Sequence, residues 1–162
     1  MNLIAKQYVK GTYGFVTTNN QFRILNELGF PYGKKSAIVR IPTLILKSNN
    51  KLVYARFLRG LFDTDGCLHF KNRRTGKNYS EFKKKYNYYP TIQITSISKP
   101  LIEDVEFILN KLGIKYFVYG AQPKDKRDSY KYVIIISGKE RILKWMNLIG
   151  IKNSGKYTRY LV

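Results

Sequence analysis

Residues 57–66 read Phe57-Leu58-Arg59-Gly60-Leu61-Phe62-Asp63-Thr64-Asp65-Gly66. From Leu52 onward apolar residues recur at helical spacing, which predicts a helix over 52–65 that Gly66 ends. Leu58, Leu61 and Phe62 form its apolar face, while Gly60 and Thr64, four apart, form a narrow seam of small residues. A glycine inside a helix costs about 1 kcal/mol relative to alanine, so its presence wants a reason. Close approach of a second helix supplies one, as in the small-xxx-small contacts of membrane helices. We read Phe57, Gly60 and Thr64 as a dimer contact. Asp63 and Asp65 lie in the last turn, where the helix dipole disfavours negative charge by about 0.3–1 kcal/mol each. A cation reverses that penalty, because hard divalent ions take carboxylate, carbonyl and water oxygens and a helix end leaves carbonyls free. Asp63 reads equally well as a hydrogen-bond acceptor for the turn at Gly66. Asp65, beside the terminating glycine, reads as a metal ligand.

The flanking sequence predicts alternating elements. Residues 67–71 and 91–96 alternate apolar and polar with β-branched residues, the pattern of strands. Ser98 is a suitable cap for a helix over 100–112, Pro100 suits its first turn, and Gly113 closes it. The acids Glu103, Asp104 and Glu106 on that helix suit its macrodipole. Residues 115–120 and 130–137 read as two strands around a polar turn, and Lys139–Leu148 as a helix closed by Gly150. From residue 52 the expected order is therefore α-β-β-α-β-β-α. Before it, 13–18 reads as a strand and 20–28 as a helix. The stretch 13–35 resembles 132–156 in pattern: strand, polar step, helix, glycine, then a Gly-Lys turn. This internal similarity suggests that residues 1–50 are an N-terminal extension resembling the tail of a preceding unit and 51–162 the core.

Composition narrows the partners. With 162 residues, 44% apolar and 15% aromatic, the chain has one domain's worth of core. Thirty Lys and Arg against ten Asp and Glu give a formal charge of +20. Self-repulsion of that size points to a polyanion, nucleic acid before an anionic membrane. The lone Cys67 excludes a disulfide framework, and one Cys with one His (His69) cannot fill a zinc site. No segment reads as membrane-spanning or as a signal peptide, so a cytoplasmic or organellar setting is expected.

The 58–66 stretch resembles the nine-residue signature of the LAGLIDADG homing endonucleases, matching it at Leu58, Gly60, Leu61, Asp63, Asp65 and Gly66. The order that follows is similar to the family's repeat unit, and the upstream stretch through Arg40–Ser48 resembles the linker before second motifs in archaeal and intein-borne members. The resemblance implies an α+β fold, an αββαββα unit with a curved antiparallel DNA-binding sheet, here preceded by a strand-helix extension. It implies a site-specific, metal-dependent double-stranded DNA endonuclease, of the kind often intron-encoded, whose paired signature helices hold divalent metal. Mg2+ is the expected cofactor, with Mn2+ or Ca2+ as other ions that bind, and no small-molecule cofactor or membrane is implied. Carried over by position, Asp65 is the metal ligand and the Thr64 carbonyl a backbone ligand. Lys139 is the candidate for charge stabilisation or water organisation, with Gln93 and Ser96 behind it. Arg59 stands where the signature has alanine, which resembles second motifs. One motif per chain implies a homodimer, or alternatively a different partner chain. A catalytically inactive DNA-binding protein or an RNA-splicing maturase on the same fold is the other reading.

Strand alternation puts Leu68, Phe70, Ile92 and Ile94 toward the core and Cys67, His69, Lys71, Thr91, Gln93 and Thr95 on the opposite face. That face suits a β-ribbon in the major groove, where donors and acceptors distinguish the base pairs. Gln93 suits adenine and Thr95 a thymine methyl. The basic loop that continues from it, with Arg73, Arg74, Lys77, Lys83, Lys85 and Tyr88, suits phosphates. Lys124, Lys126 and Arg127 extend the expected footprint.

Overall fold

A computed structural model describes residues 6–9, 12–14, 18–27, 29, 36–72, 88–123, 125 and 128–161. Helix α3 (Lys51–Asp65) starts where the Asn50 side chain accepts from Leu52 N at 2.9 Å, satisfying a donor that the helix leaves unpaired. Its buried stripe is Tyr54, Ala55, Leu58 and Phe62. At its end Gly66 is required by the chain itself: a Cβ there would lie 2.8 Å from the Phe62 carbonyl oxygen and 2.9 Å from Phe62 Cα.

From α3 the chain runs β3 (Cys67–Asn72), β4 (Tyr88–Ser96), α4 (Lys99–Leu112), β5 (Phe117–Ala121), β6 (Lys131–Ser137), α5 (Lys139–Leu148). This is the expected α+β order. The four strands form one antiparallel sheet in the order β3-β4-β6-β5. Helix α4 is built as its sequence predicts. Ser98 Oγ accepts from Leu101 N at 3.3 Å, Pro100 occupies the first turn, and Gly113 takes the left-handed conformation with φ 66°. The Ile114 N–H then reaches the Leu109 carbonyl at 2.9 Å, closing the helix end. Leu68, Ile92, Ile94, Ile134 and Ile136 pack with α3, α4 and α5 around Trp145. Trp145 meets Phe62 edge-on at 5.4 Å, locking α5 to α3.

Two helices depart from the sequence reading. The four-residue α2 (Thr43–Leu46) is tied to α3 by the Tyr54 hydroxyl, which donates to the Leu46 carbonyl at 2.7 Å. Helix α6 (Ser154–Leu161) follows α5 and packs near β3. The linker ahead of α2 is strapped across α4. Buried Asp104 accepts from Arg40 Nη2 at 2.7 Å, Arg40 Nε at 3.2 Å and Ile41 N at 3.0 Å. That bond and charge raise the Arg40 pKa above its ordinary value. Ser98 Oγ donates to the Val39 carbonyl at 2.6 Å. Asp104 is thus a tertiary clasp, beyond the macrodipole role that its place near the helix start suggested.

The N-terminal part has β1 (Lys6–Val9) paired antiparallel with β2 (Thr12–Gly14), then α1 (Asn19–Glu27). The same succession of strand pair and helix occurs in β5-β6-α5. Gly29 and Gly150, which correspond in the internal comparison, both follow their helix with positive φ, 99° and 73°.

Candidate metal and nucleic-acid site

The two aspartates at the end of α3 have different surroundings. Asp63 is fully engaged within the chain: its carboxylate accepts from Lys152 N at 3.1 and 3.2 Å and from Asn153 N at 3.2 Å. Asn153 Nδ2 also donates to the Asp63 carbonyl at 3.2 Å. Asp63 therefore anchors the turn between α5 and α6, rather than the turn at Gly66. The Asp65 carboxylate is exposed and makes no hydrogen bond or ion pair among the described residues. Of the two, only Asp65 keeps its oxygens open to something outside the chain.

The carbonyls at this helix end are held by a residue that the sequence reading passed over. Lys156, in the first turn of α6, sends its Nζ to the carbonyls of Phe62 (2.6 Å), Asp63 (2.9 Å) and Thr64 (3.4 Å). The same ammonium lies 5.1 Å from the Phe62 ring centroid. A cation at a helix C-terminus offsets the dipole, so Lys156 carries part of the load assigned above to a metal alone. The Thr64 carbonyl, expected as a metal ligand, faces Lys156. The Thr64 hydroxyl turns back on its own helix, donating toward the Gly60 and Leu61 carbonyls at 3.1 Å each. The available signal was the Gly-Lys turn at 155–156 that the internal comparison had picked out.

Elsewhere on α3, Phe57 and Leu61 are half-buried and pack against the core, Val53 is half-buried, and Gly60 and Thr64 are exposed. A Cβ added at Gly60 would meet nothing within 4 Å. Gly66 is thus demanded by its own chain, and Gly60 is not.

With this helix, its two aspartates and the antiparallel sheet in view, the comparisons with known proteins are direct. A family model described as a LAGLIDADG-like domain matches residues 52–150. The chain belongs to the LAGLIDADG homing endonuclease family. It is also 28% identical over 134 residues to a probable translation initiation factor IF-2 of Thermococcus kodakarensis, covering 83% of this chain and 9% of that protein. A probable IF-2 of Methanocaldococcus jannaschii is 26% identical over 144 residues, covering 86% of this chain and 11% of the relative. The replicative DNA helicase DnaB of Rhodothermus marinus is 29% identical over 126 residues, covering 78% and 12%. The chain thus spans about a tenth of the length of these relatives.

The other candidates fall in several places. Gln93 pairs in register with Cys67, at the sheet end nearest Asp65, and its Nε2 donates to Thr95 Oγ1 at 3.0 Å. Those two side chains act as one polar pair. Ser96 Oγ accepts from Ser98 N at 3.0 Å, a turn-forming role. Lys139 opens α5 just past the end of β6, whose last residue, Ser137, lies opposite Thr91, while β3 begins at Cys67 opposite Gln93. It lines a groove of about 410 Å³ with Phe117, Ser137 and Arg141.

Of the expected DNA contacts, His69 is half-buried and Thr91 is buried at 1% exposure. Thr91 lies between His69 and Ser137 in register, and a side chain so covered offers nothing to a base edge. Phe70, expected in the core, is half-buried. Lys71 and Tyr88 hold strand positions opposite Tyr89 and Asn72. Arg73, Arg74, Lys77, Lys83, Lys85, Lys124, Lys126 and Arg127 lie outside the described residues. Among the described residues no helix is long and apolar enough to cross a membrane.

Proposed function

We propose that this chain is a site-specific double-stranded DNA endonuclease acting as a homodimer, in which two α3 helices cross at Gly60 and present their Asp65 carboxylates to Mg2+. The observation that carries the reading is the contrast within one helix turn. Asp63 is consumed by backbone donors, Asp65 is exposed without a partner among the described residues, and Gly60 leaves open space beside it. The exposed small residues Gly60 and Thr64, four apart on α3, support close helix pairing.

The donors suit a hard cation, but one chain does not complete a site. No three His, Cys, Asp or Glu residues gather among the described residues. Asp65 from a second copy and oxygens from DNA and water would complete it, as Mg2+ characteristically allows. Divalent metal there supplies activation of water and stabilisation of the leaving 3′ oxygen. The chain's own contribution is to aim Asp65 from a helix end that Lys156 holds in place. Without cations two such carboxylates repel, so dimerisation and metal affinity are coupled. The net charge of +20 supplies phosphate affinity that falls steeply with salt. Because the matching segment is a small part of an initiation factor and of a helicase alike, the activities in those names are no guide to this chain.

The test is Mg2+-dependent cleavage of duplex DNA carrying a selected site, by the native chain and by Asp65→Asn. The variant is expected to bind the duplex and not cut it. Undiminished cutting by Asp65→Asn, or tighter binding to single-stranded RNA than to duplex, contradicts the reading.

A further inference from the structure

We infer that the open sheet face is divided, and that its β5–β6 half reads thymine 5-methyl groups, so that each half-site of the target holds a thymine-rich segment. This rests on the duplex reading above and goes beyond it to the sequence class recognised.

Residues directly opposite in an antiparallel ladder share a face. Across the open face one row runs Cys67, Gln93, Ile135, Phe117. The next runs Thr95, Val133, Tyr119, and Lys131 with Ala121 lies beyond it. The β3–β4 half is thus polar, and the β6–β5 half is apolar. Val133 and Ile135 are 3% and 5% exposed, yet neither belongs to the helix-packed core cluster. Their register places them on the face opposite the helices, where they are covered. Beside them Phe117 and Tyr119 stand 57% and 47% exposed on an edge strand. Exposed apolar side chains on an unpaired edge are ordinarily selected against.

The surroundings of the patch choose its occupant. Lys131 shares its face, and the Arg141 guanidinium lies 5.1 Å from the Phe117 ring centroid. Lys115, Lys139 and Lys144 line the adjoining grooves, with Glu140 the one acid among their lining residues. An apolar patch rimmed by cations fits a polyanion that itself carries apolar groups. In the major groove that group is the thymine methyl, which aromatic and aliphatic side chains contact. The patch also continues the polar half across the β4–β6 ladder, so a duplex lying on Gln93 and Thr95 reaches it without a break.

The test begins with selection from a duplex library of random sequence by the full chain. The selected duplex is then remade with deoxyuridine in place of single thymidines, a change that removes only the methyl. Adjacent positions in each half-site are expected to lose about fourfold in affinity each, the value of one buried methyl. Phe117→Ser and Tyr119→Ser are expected to melt like the native chain, since both sites are exposed. They should bind the deoxyuridine and thymidine duplexes equally while keeping preferences elsewhere in the site. A selected duplex indifferent to every deoxyuridine overturns the inference and leaves the endonuclease reading standing. Retained methyl sensitivity in both variants overturns it also. Selection of no sequence at all sinks the endonuclease reading and the inference with it.

Discussion

Gly60→Ala is expected to move folding stability and self-association in opposite directions. In the single chain an added Cβ meets nothing within 4 Å, so no packing cost opposes the better helix propensity of alanine. The gain is about 1 kcal/mol. For a chain of this length that raises the melting temperature by roughly 2–4 °C. In the paired state the same methyl enters the seam where two backbones approach, and overpacking costs about 1–3 kcal/mol. Association should weaken by about fivefold or more. Thermal melts at a concentration too low for dimers read the first effect, and sedimentation across a concentration series reads the second. A destabilised dilute chain would mean that Gly60 is packed within its own subunit. Unchanged association would mean that the helices do not cross there.

Four further substitutions test the end of α3 and the strap across α4. Lys156→Met keeps the aliphatic stem and removes the ammonium from three carbonyls and the Phe62 ring. It should cost about 1–2 kcal/mol in urea denaturation, whereas Lys152→Met, whose backbone alone contacts Asp63, should be near neutral. Asp63→Ala frees the Lys152 and Asn153 donors and should cost about 1 kcal/mol, read by the same assay and by faster amide exchange at 152–153. Asp104→Ala leaves the buried Ile41 N–H without its acceptor, an effect of about 1–3 kcal/mol; proteolysis at 36–42 should accelerate as the strap loosens.

The sequence was most legible where local chemistry decides the structure. The caps of α4 at Ser98 and Gly113, the helical stripe of α3 and the alternation of β3 and β4 all operate within a few residues. What it did not disclose depends on distant partners. Asp104 meets Arg40 across 64 positions and Asp63 meets Lys152 across 89, so neither role leaves a local trace. The apolar half of the sheet was hidden for another reason. Val133 to Ile136 are four consecutive apolar residues, all buried, and such a run erases the alternation that would assign faces. Register supplied what periodicity lacked. Thr91 shows the opposite failure, because its alternation is correct but its neighbours cover it.

The central claim, that two α3 helices pair and bring their Asp65 residues together, has a built-in reporter. Cys67 is the single cysteine, exposed and two residues beyond Asp65. A spin label there, measured by pulsed dipolar spectroscopy on duplex DNA, should give one short distance, set by the roughly 8–10 Å axis separation of packed helices and the label arms. A distance comparable with the length of the whole subunit, or no dipolar coupling, would contradict the account.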